Sequence, residues 1–305
     1  MDATLWYFNA VQNYLKYSGD FDFIKEELWD VLKSIIEHHI RGTLYNIRMD
    51  QDNLLSHGPQ LTWMDAKVGD RVVTPREGKA VEIQALWYNA LKTMELFAKR
   101  FSEKGKAEEY SFIAETAKKS FLAKFWNENQ DCLFDVVHGE QRDSSLRPNQ
   151  ALAVMLDFSM LDKAQSEKVV EAVRRRLWGT YGLRTLPEDD PCYVGVYLGD
   201  RAIRDNAYHN GTVWPWLLGP FVTAFLKVKN YEERWRNFAF ETFLKPLFLR
   251  EVFQAGLGTV SEIFDGNPPR TSRGCIAQAW SVAEPLRTYV EDVMMQRPPY
   301  EYLLK

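Results

Sequence analysis

Cysteine is scarce, long apolar runs are missing, and neither sign of charge is in excess. Cys132, Cys192 and Cys275 stand far apart in 305 residues. Odd in number and without paired spacing, they exclude a disulfide framework and a structural zinc site. No run approaches the roughly 18–20 apolar residues that a membrane span requires. Lys plus Arg number 38 and Asp plus Glu 42, a net charge of −4. That near balance carries no electrostatic footprint for nucleic acid or an anionic membrane. A Walker-type phosphate loop and a dinucleotide fingerprint are absent, and Ser56-His57 and Cys132 lack a nucleophile-elbow context. Met1-Asp2-Ala3-Thr4 leads straight into an amphipathic segment, without the basic and apolar regions of a secretory leader. These absences predict a cytoplasmic protein with no metal, no cofactor and no nucleic-acid or membrane partner.

Aromatic residues, by contrast, are plentiful: Phe 18, Tyr 14 and Trp 10 make up 14% of the chain. Much of this is ordinary core, since aromatic rings bury large areas. Several tryptophans, however, stand in polar stretches beside acids and amides. Flat amphipathic rings in that company suit a sugar-binding cleft, where C–H faces stack and hydroxyls are hydrogen-bonded.

The dominant hydrophobic period is helical. After Asp22, read as an N-cap, Ile24, Leu28, Val31, Leu32, Ile35, Ile36 and His39 line one face. Further stripes run through Trp87–Phe101, Tyr110–Phe125, Trp214–Phe225, Tyr231–Phe238 and Ile276–Leu286. With segments at 3–18, 148–160 and 163–178, the pattern predicts about nine helices. Short strands are expected flanking Asp50–Asn53 and over Cys132–Val137. Four long loops, 42–79, 127–147, 179–212 and 256–274, are rich in Trp, Tyr, Arg, Asp, Gly and Pro. That composition is not one of disorder, and loops of such length in a compact domain are usually functional. No Pro/Ser-rich linker interrupts the chain, so residues 1–305 read as one domain.

Three constellations carry groups able to do chemistry. In the first, Asp65 follows Trp63 in a loop, where partial desolvation would raise a carboxyl toward the pKa of a general acid. Arg76 and Glu82 there either bond sugar hydroxyls or form a structural ion pair. In the second, Ser261-Glu262-Ile263-Phe264-Asp265-Gly266, Glu262 or Asp265 could partner Asp65. Glycoside hydrolysis requires two carboxyls, one to protonate the leaving oxygen and one to activate water or attack carbon. The alternative is a simple Asp-Gly turn. In the third, Tyr208, His209 and Trp214 stand at the mouth of a helix in which Pro215 suits the first turn and Thr212 the N-cap. They either contact sugar or seal the core. His38 and His39 are adjacent, hence about 100° apart on a helix and poorly placed to chelate one metal.

Long segments extend these constellations: QLTWMDAKVGDRVVTPREGKAVEIQALWYNAL, RPNQALAV, YGLRTL, RDNAYHNGTVWPWLLGPF and SEIFDGNPPRTSRGCIAQAWSVAE. Over nearly the whole chain they resemble the C-terminal amylo-α-1,6-glucosidase domain of glycogen debranching enzymes. The resemblance implies an all-α (α/α)6 toroid and a hydrolase that removes single glucose residues from α-1,6 branch points of glycogen or limit dextrin, with inversion and without a cofactor. It carries Asp65 over as general acid and Glu262 as general base, with Asp265 and Glu82 as rivals for the second role. Trp63, Tyr208, Trp214 and Trp280 would then hold the glucose ring, and Arg76, Glu82 and His209 its hydroxyls. By the resemblance, the chain is expected to open inside the family's domain, after an early stretch that helps line the cleft and includes a Trp-Gly-Arg-Asp segment that contacts substrate in relatives. The expectation is therefore an incomplete toroid whose bare apolar faces favour self-association into a homo-oligomer. A trehalase- or glucoamylase-like inverting α-glucosidase and an inactive carbohydrate-binding remnant are the competing readings.

Overall fold

The computed structural model describes residues 1–304. Its architecture is dominated by helices, as the periodicity predicts, and is compatible with an α/α toroid. Helix α1 (Asp2–Ser18) ends at Gly19, whose positive φ of 69° makes the left-handed C-cap. Helix α2 (residues 21–41) starts two residues earlier than Asp22 suggests. The carboxylate of Asp20 caps it by accepting from the Phe23 amide at 2.9 Å, and Asp22 lies inside the first turn.

Helices buried on nearly all faces alternate with one-sided ones. Helix α3 (Val81–Arg100) buries Val81, Ile83, Leu86, Trp87, Leu91, Met94 and Phe97 together with Gln84, Asn89 and Thr93. An apolar helix with few exposed positions belongs in the interior. Its polar residues are satisfied there: Gln12 of α1 donates to Asn89 at 3.2 Å and to Thr93 at 2.8 Å, and Asn89 donates back to Gln12 at 2.8 Å. Helix α4 (Lys104–Phe125) packs one stripe, Tyr110, Ile113, Ala117, Phe121 and Phe125, against α3. Helices α5 (Ala151–Met155) and α8 (Leu218–Val228) are likewise buried on most faces, α6 (Lys163–Leu177), α9 (residues 233–249) and α10 (residues 279–293) are one-sided, and the short α7 (Arg201–Ala207) buries only Ala207. The segment expected over 148–160 is shorter than its pattern. It opens as a 3-10 turn, Pro148–Gln150, and α5 stops at Leu156. Among the described residues no helix is long and apolar enough to cross a membrane.

The long loops carry very short strands. Arg48–Met49 pairs with Leu55–Ser56 around Asp50–Asn53, and Val136–His138 pairs with both Lys79–Ala80 and Gln141–Asp143, near the expected positions. A four-stranded antiparallel sheet was not foreseen: Leu183–Arg184, Val213–Trp214, Ile263–Phe264 and Ser272–Arg273, in that order. Its register sets Leu183 against Trp214, Val213 against Phe264 and Ile263 against Arg273. Segments from the 179–212 loop, its continuation at 213–214 and the 256–274 loop are thereby gathered at one place, with Trp214 and Glu262 at strand ends. Thr212 does not cap the helix after Pro215. Its hydroxyl donates to the Tyr208 carbonyl and accepts from the Trp214 indole.

Candidate active site

A cavity of about 590 Å³ opens where these loops meet α1 and α10. Six of the residues singled out from sequence line it: Trp63, Asp65, Tyr208, Trp214, Glu262 and Trp280. Trp6, Thr62, Trp216, Gln278 and Glu284 complete much of the wall. The tryptophans brace one another. Trp63 meets Trp214 and Trp216 edge-on at 5.1 and 5.2 Å, and Trp216 stacks on Trp280 at 5.3 Å and 19°. Such contacts fix ring planes more narrowly than burial alone.

The two carboxyls meet different surroundings. Asp65 is open to solvent, and no side chain among the described residues donates to its carboxyl. Burial against the cavity wall holds its pKa above the ordinary value of 3.8, against its own backbone amide, and the charge of Asp2 adds to the rise. Glu262 is only 9% exposed. Its Oε1 accepts from the Tyr208 hydroxyl at 2.6 Å and from Gln278 Nε2 at 3.4 Å, and its Oε2 from the Cys275 amide at 3.0 Å. Burial, then the bond to Glu262, raises the Tyr208 pKa far above the usual phenol value, so Tyr208 remains the donor at neutral pH. Gly274 makes room for this carboxylate. A Cβ there would stand 2.3 Å from Glu262 Oε2, on a backbone with φ of +66°.

Arg76, Glu82 and His209 do not line the cavity; they lie in a layer beneath it. They are 5%, 1% and 0% exposed. The Arg76 guanidinium grips Asp135 at 2.6 and 2.8 Å, holds Glu82 through two further bonds, and reaches Thr62 at 3.1 Å. Burial disfavours its charge, but Asp135 and Glu82 together more than restore it. The ion-pair reading of Arg76 and Glu82 therefore describes this geometry, and contact with sugar hydroxyls does not. The physical reason is that Asp135, 59 residues away in sequence, brings a second carboxylate to the same guanidinium. Glu82 is held in this pair and does not line the cavity. Asp265 is engaged as well, accepting from the Tyr197 amide at 2.8 Å and from Arg273 at 3.0–3.2 Å. His209 stacks on Trp214 at 5.4 Å, and burial, reinforced by Arg147 and Arg76, keeps its imidazole neutral.

The sequence reading passed over Trp216, Gln278, Asp135, Arg147 and Asn149. For Trp216 the signal was present, since Trp214-Pro215-Trp216 sets two indoles around a helix start. Arg147 and Asn149 stand in the RPNQ segment without any chemistry of their own. Arg147 donates to the His209 carbonyl at 2.7 Å and to Asn210 at 3.2 Å, with Asp135 3.7 Å from its Nε. It ties the 209–210 turn to the layer below.

Two carboxyls in a tryptophan-walled cavity on a helical scaffold are an arrangement that suits glycoside hydrolysis, and the family match points to the same class, the glycoside hydrolases. Within it, the chain belongs to the amylo-alpha-1,6-glucosidase family, whose family model matches residues 1–287. It is 28% identical to the glycogen debranching enzyme of Saccharomyces cerevisiae in a match covering 61% of this chain and 15% of that enzyme. The chain thus corresponds to a minor part of the length of that relative. Among solved structures it is similar to one titled sialidase, with a TM-score of 0.73 and 14% identity, over 94% of this chain and 26% of the other. At that identity the likeness is one of fold.

Proposed function

We propose that this chain hydrolyses single α-1,6-linked glucose residues at branch points of glycogen or limit dextrin, with Asp65 as general acid and Glu262 as general base. The observation that carries the reading is that both carboxyls line one cavity with Trp63, Trp214, Trp216 and Trp280. Glucose binds with its apolar faces against indole rings. Asp65, whose pKa partial burial raises, donates a proton to the oxygen that leaves with C6 of the branched residue. Glu262, oriented by Tyr208, Gln278 and Cys275, takes a proton from water as that water attacks C1 from the opposite face. Carboxyls separated by roughly 6.5–9.5 Å leave room for that water and give inversion. Orientation of both groups contributes as much as their acidity, because near-attack geometry supplies several kcal/mol of barrier lowering.

Glucose release from a phosphorylase limit dextrin carrying single-glucose stubs tests the reading. Nuclear magnetic resonance of the nascent sugar should show the β-anomer first, as inversion of an α-linkage requires. Initial release of α-glucose would refute the mechanism. A folded chain that binds dextrin without turnover would make it a binding remnant instead.

A further inference from the structure

Trp63 is held from below. Its indole Nε1 donates to Asn149 Oδ1 at 2.8 Å, and Asn149 Nδ2 donates to Asp135 Oδ1 at 2.9 Å. Asp135 is itself clamped by Arg76 and approached by Arg147. Asn149 is fully buried and Asp135 2% exposed, so neither can exchange these partners for water. With Glu82 the cluster holds two cations and two anions, and its charges balance inside the protein. A buried cluster of this kind is a poor source of stability compared with apolar packing. It does, however, fix directions: each planar group allows its neighbour one orientation.

We propose that Asn149 is a positioning residue for Trp63, an amide that transmits the fixed geometry of the Arg76–Asp135 pair to the indole plane forming the cavity wall. The amide is the side chain that suits this place, since it must accept from an indole N–H on one side and donate to a carboxylate on the other. The inference rests on the reading of the cavity as a sugar site only in its kinetic consequence. The geometric part stands apart from it.

Asn149→Asp separates the two. Protonated, the new carboxyl accepts from Trp63 and donates to Asp135, as the amide does. Ionised, it places oxygen against oxygen beside Asp135 and the link to the cluster breaks. The variant should therefore show a Trp63 indole 15N–1H resonance, identified by its loss in Trp63→Phe, that matches wild type at pH 5 and moves along a single titration as pH rises. Wild type should lack that step. On limit dextrin its KM should climb about tenfold along the same titration, roughly the worth of one hydrogen bond, with kcat changed far less, because ring stacking binds ground and transition states alike. Asn149→Leu should show the raised KM at every pH. In a Trp63→Phe background, Asn149→Asp should have no further effect on KM.

A resonance that stays fixed across the pH range, or an equal KM effect with and without the Trp63 indole, would overturn the inference. A titrating resonance in a protein inert toward dextrin would uphold the positioning and sink the proposed activity instead.

Discussion

The loop that carries Asp65 leaves its carboxyl without a side-chain donor among the described residues, whereas Glu262, at the end of an inner strand of the sheet, has three donors directed onto one carboxylate. Both groups line the same cavity. An acid that must give up and regain a proton gains from a setting that favours its neutral form, and partial burial provides one. A base that must aim at one water gains from a fixed lone pair. A second contrast lies underneath. The cavity wall is aromatic and partly wet, while the layer below is a dry network of paired charges. The division teaches that polar residues clustered near a site in sequence can serve its foundations and never touch substrate.

The sharpest way to break the first contrast is to remove each carboxyl in turn. Asp65→Asn and Glu262→Gln should each lower glucose release from limit dextrin by about 10²–10⁴-fold, the usual worth of a general acid or base. If one variant keeps near wild-type rates, the pairing is wrong for that residue. The second contrast is tested by Arg76→Leu, which leaves Glu82 buried without its cation and Asp135 with only Arg147 and Asn149 beside it. Denaturant unfolding should show a loss of about 3–5 kcal/mol; a change below 1 kcal/mol would mean that the layer is not the dry foundation described. Tyr208→Phe removes one of three donors from Glu262 and should lower kcat/KM by about tenfold, near the value of a hydrogen bond to a charged group, with little change in melting temperature.

The smallest effects concern pH. Asp65 has its folded-state pKa raised, so its contribution to stability is complete below the ordinary 3.8 and is lost as pH rises through the folded value. Asp65→Asn should therefore melt higher than wild type at pH 7, the difference closing toward pH 3. Glu251 makes the same point away from the cavity. Its Oε1 is buried without a partner, and burial pushes its pKa up to about 7, from an ordinary 4.5. Glu251→Gln should raise the melting temperature above pH 7 and leave it unchanged near pH 4. Melts taken across pH 3–8 check both signs.

The helices were legible because an apolar stripe repeats over several turns, as in Tyr110, Ile113, Ala117 and Phe121. The sheet that assembles the site was not, since a two-residue strand such as Ile263–Phe264 has no period to read. Trp63, Tyr208, Trp214 and Trp280 stood out because tryptophan and tyrosine amid acids and amides are uncommon outside a binding surface. Arg76, Glu82 and His209 looked the same in sequence. Their burial depends on Asp135, 59 residues from Arg76, and on Arg147, 62 residues from His209, which reach them only once the chain has folded. Asp22 was misread as a cap for a simpler reason, that Asp20 two residues earlier offers the same side chain in the conformation a cap requires.

Gly274 gives the site a built-in gauge. Its missing side chain sets how far the Glu262 carboxylate can withdraw from the cavity, and a single methyl group inserted there would act as a wedge against Oε2. The placing of that carboxylate thus depends on bare backbone beside it as well as on its three donors. Evolution or design can enlarge this cleft through its tryptophans, but at Gly274 the wall is already as thin as a polypeptide allows.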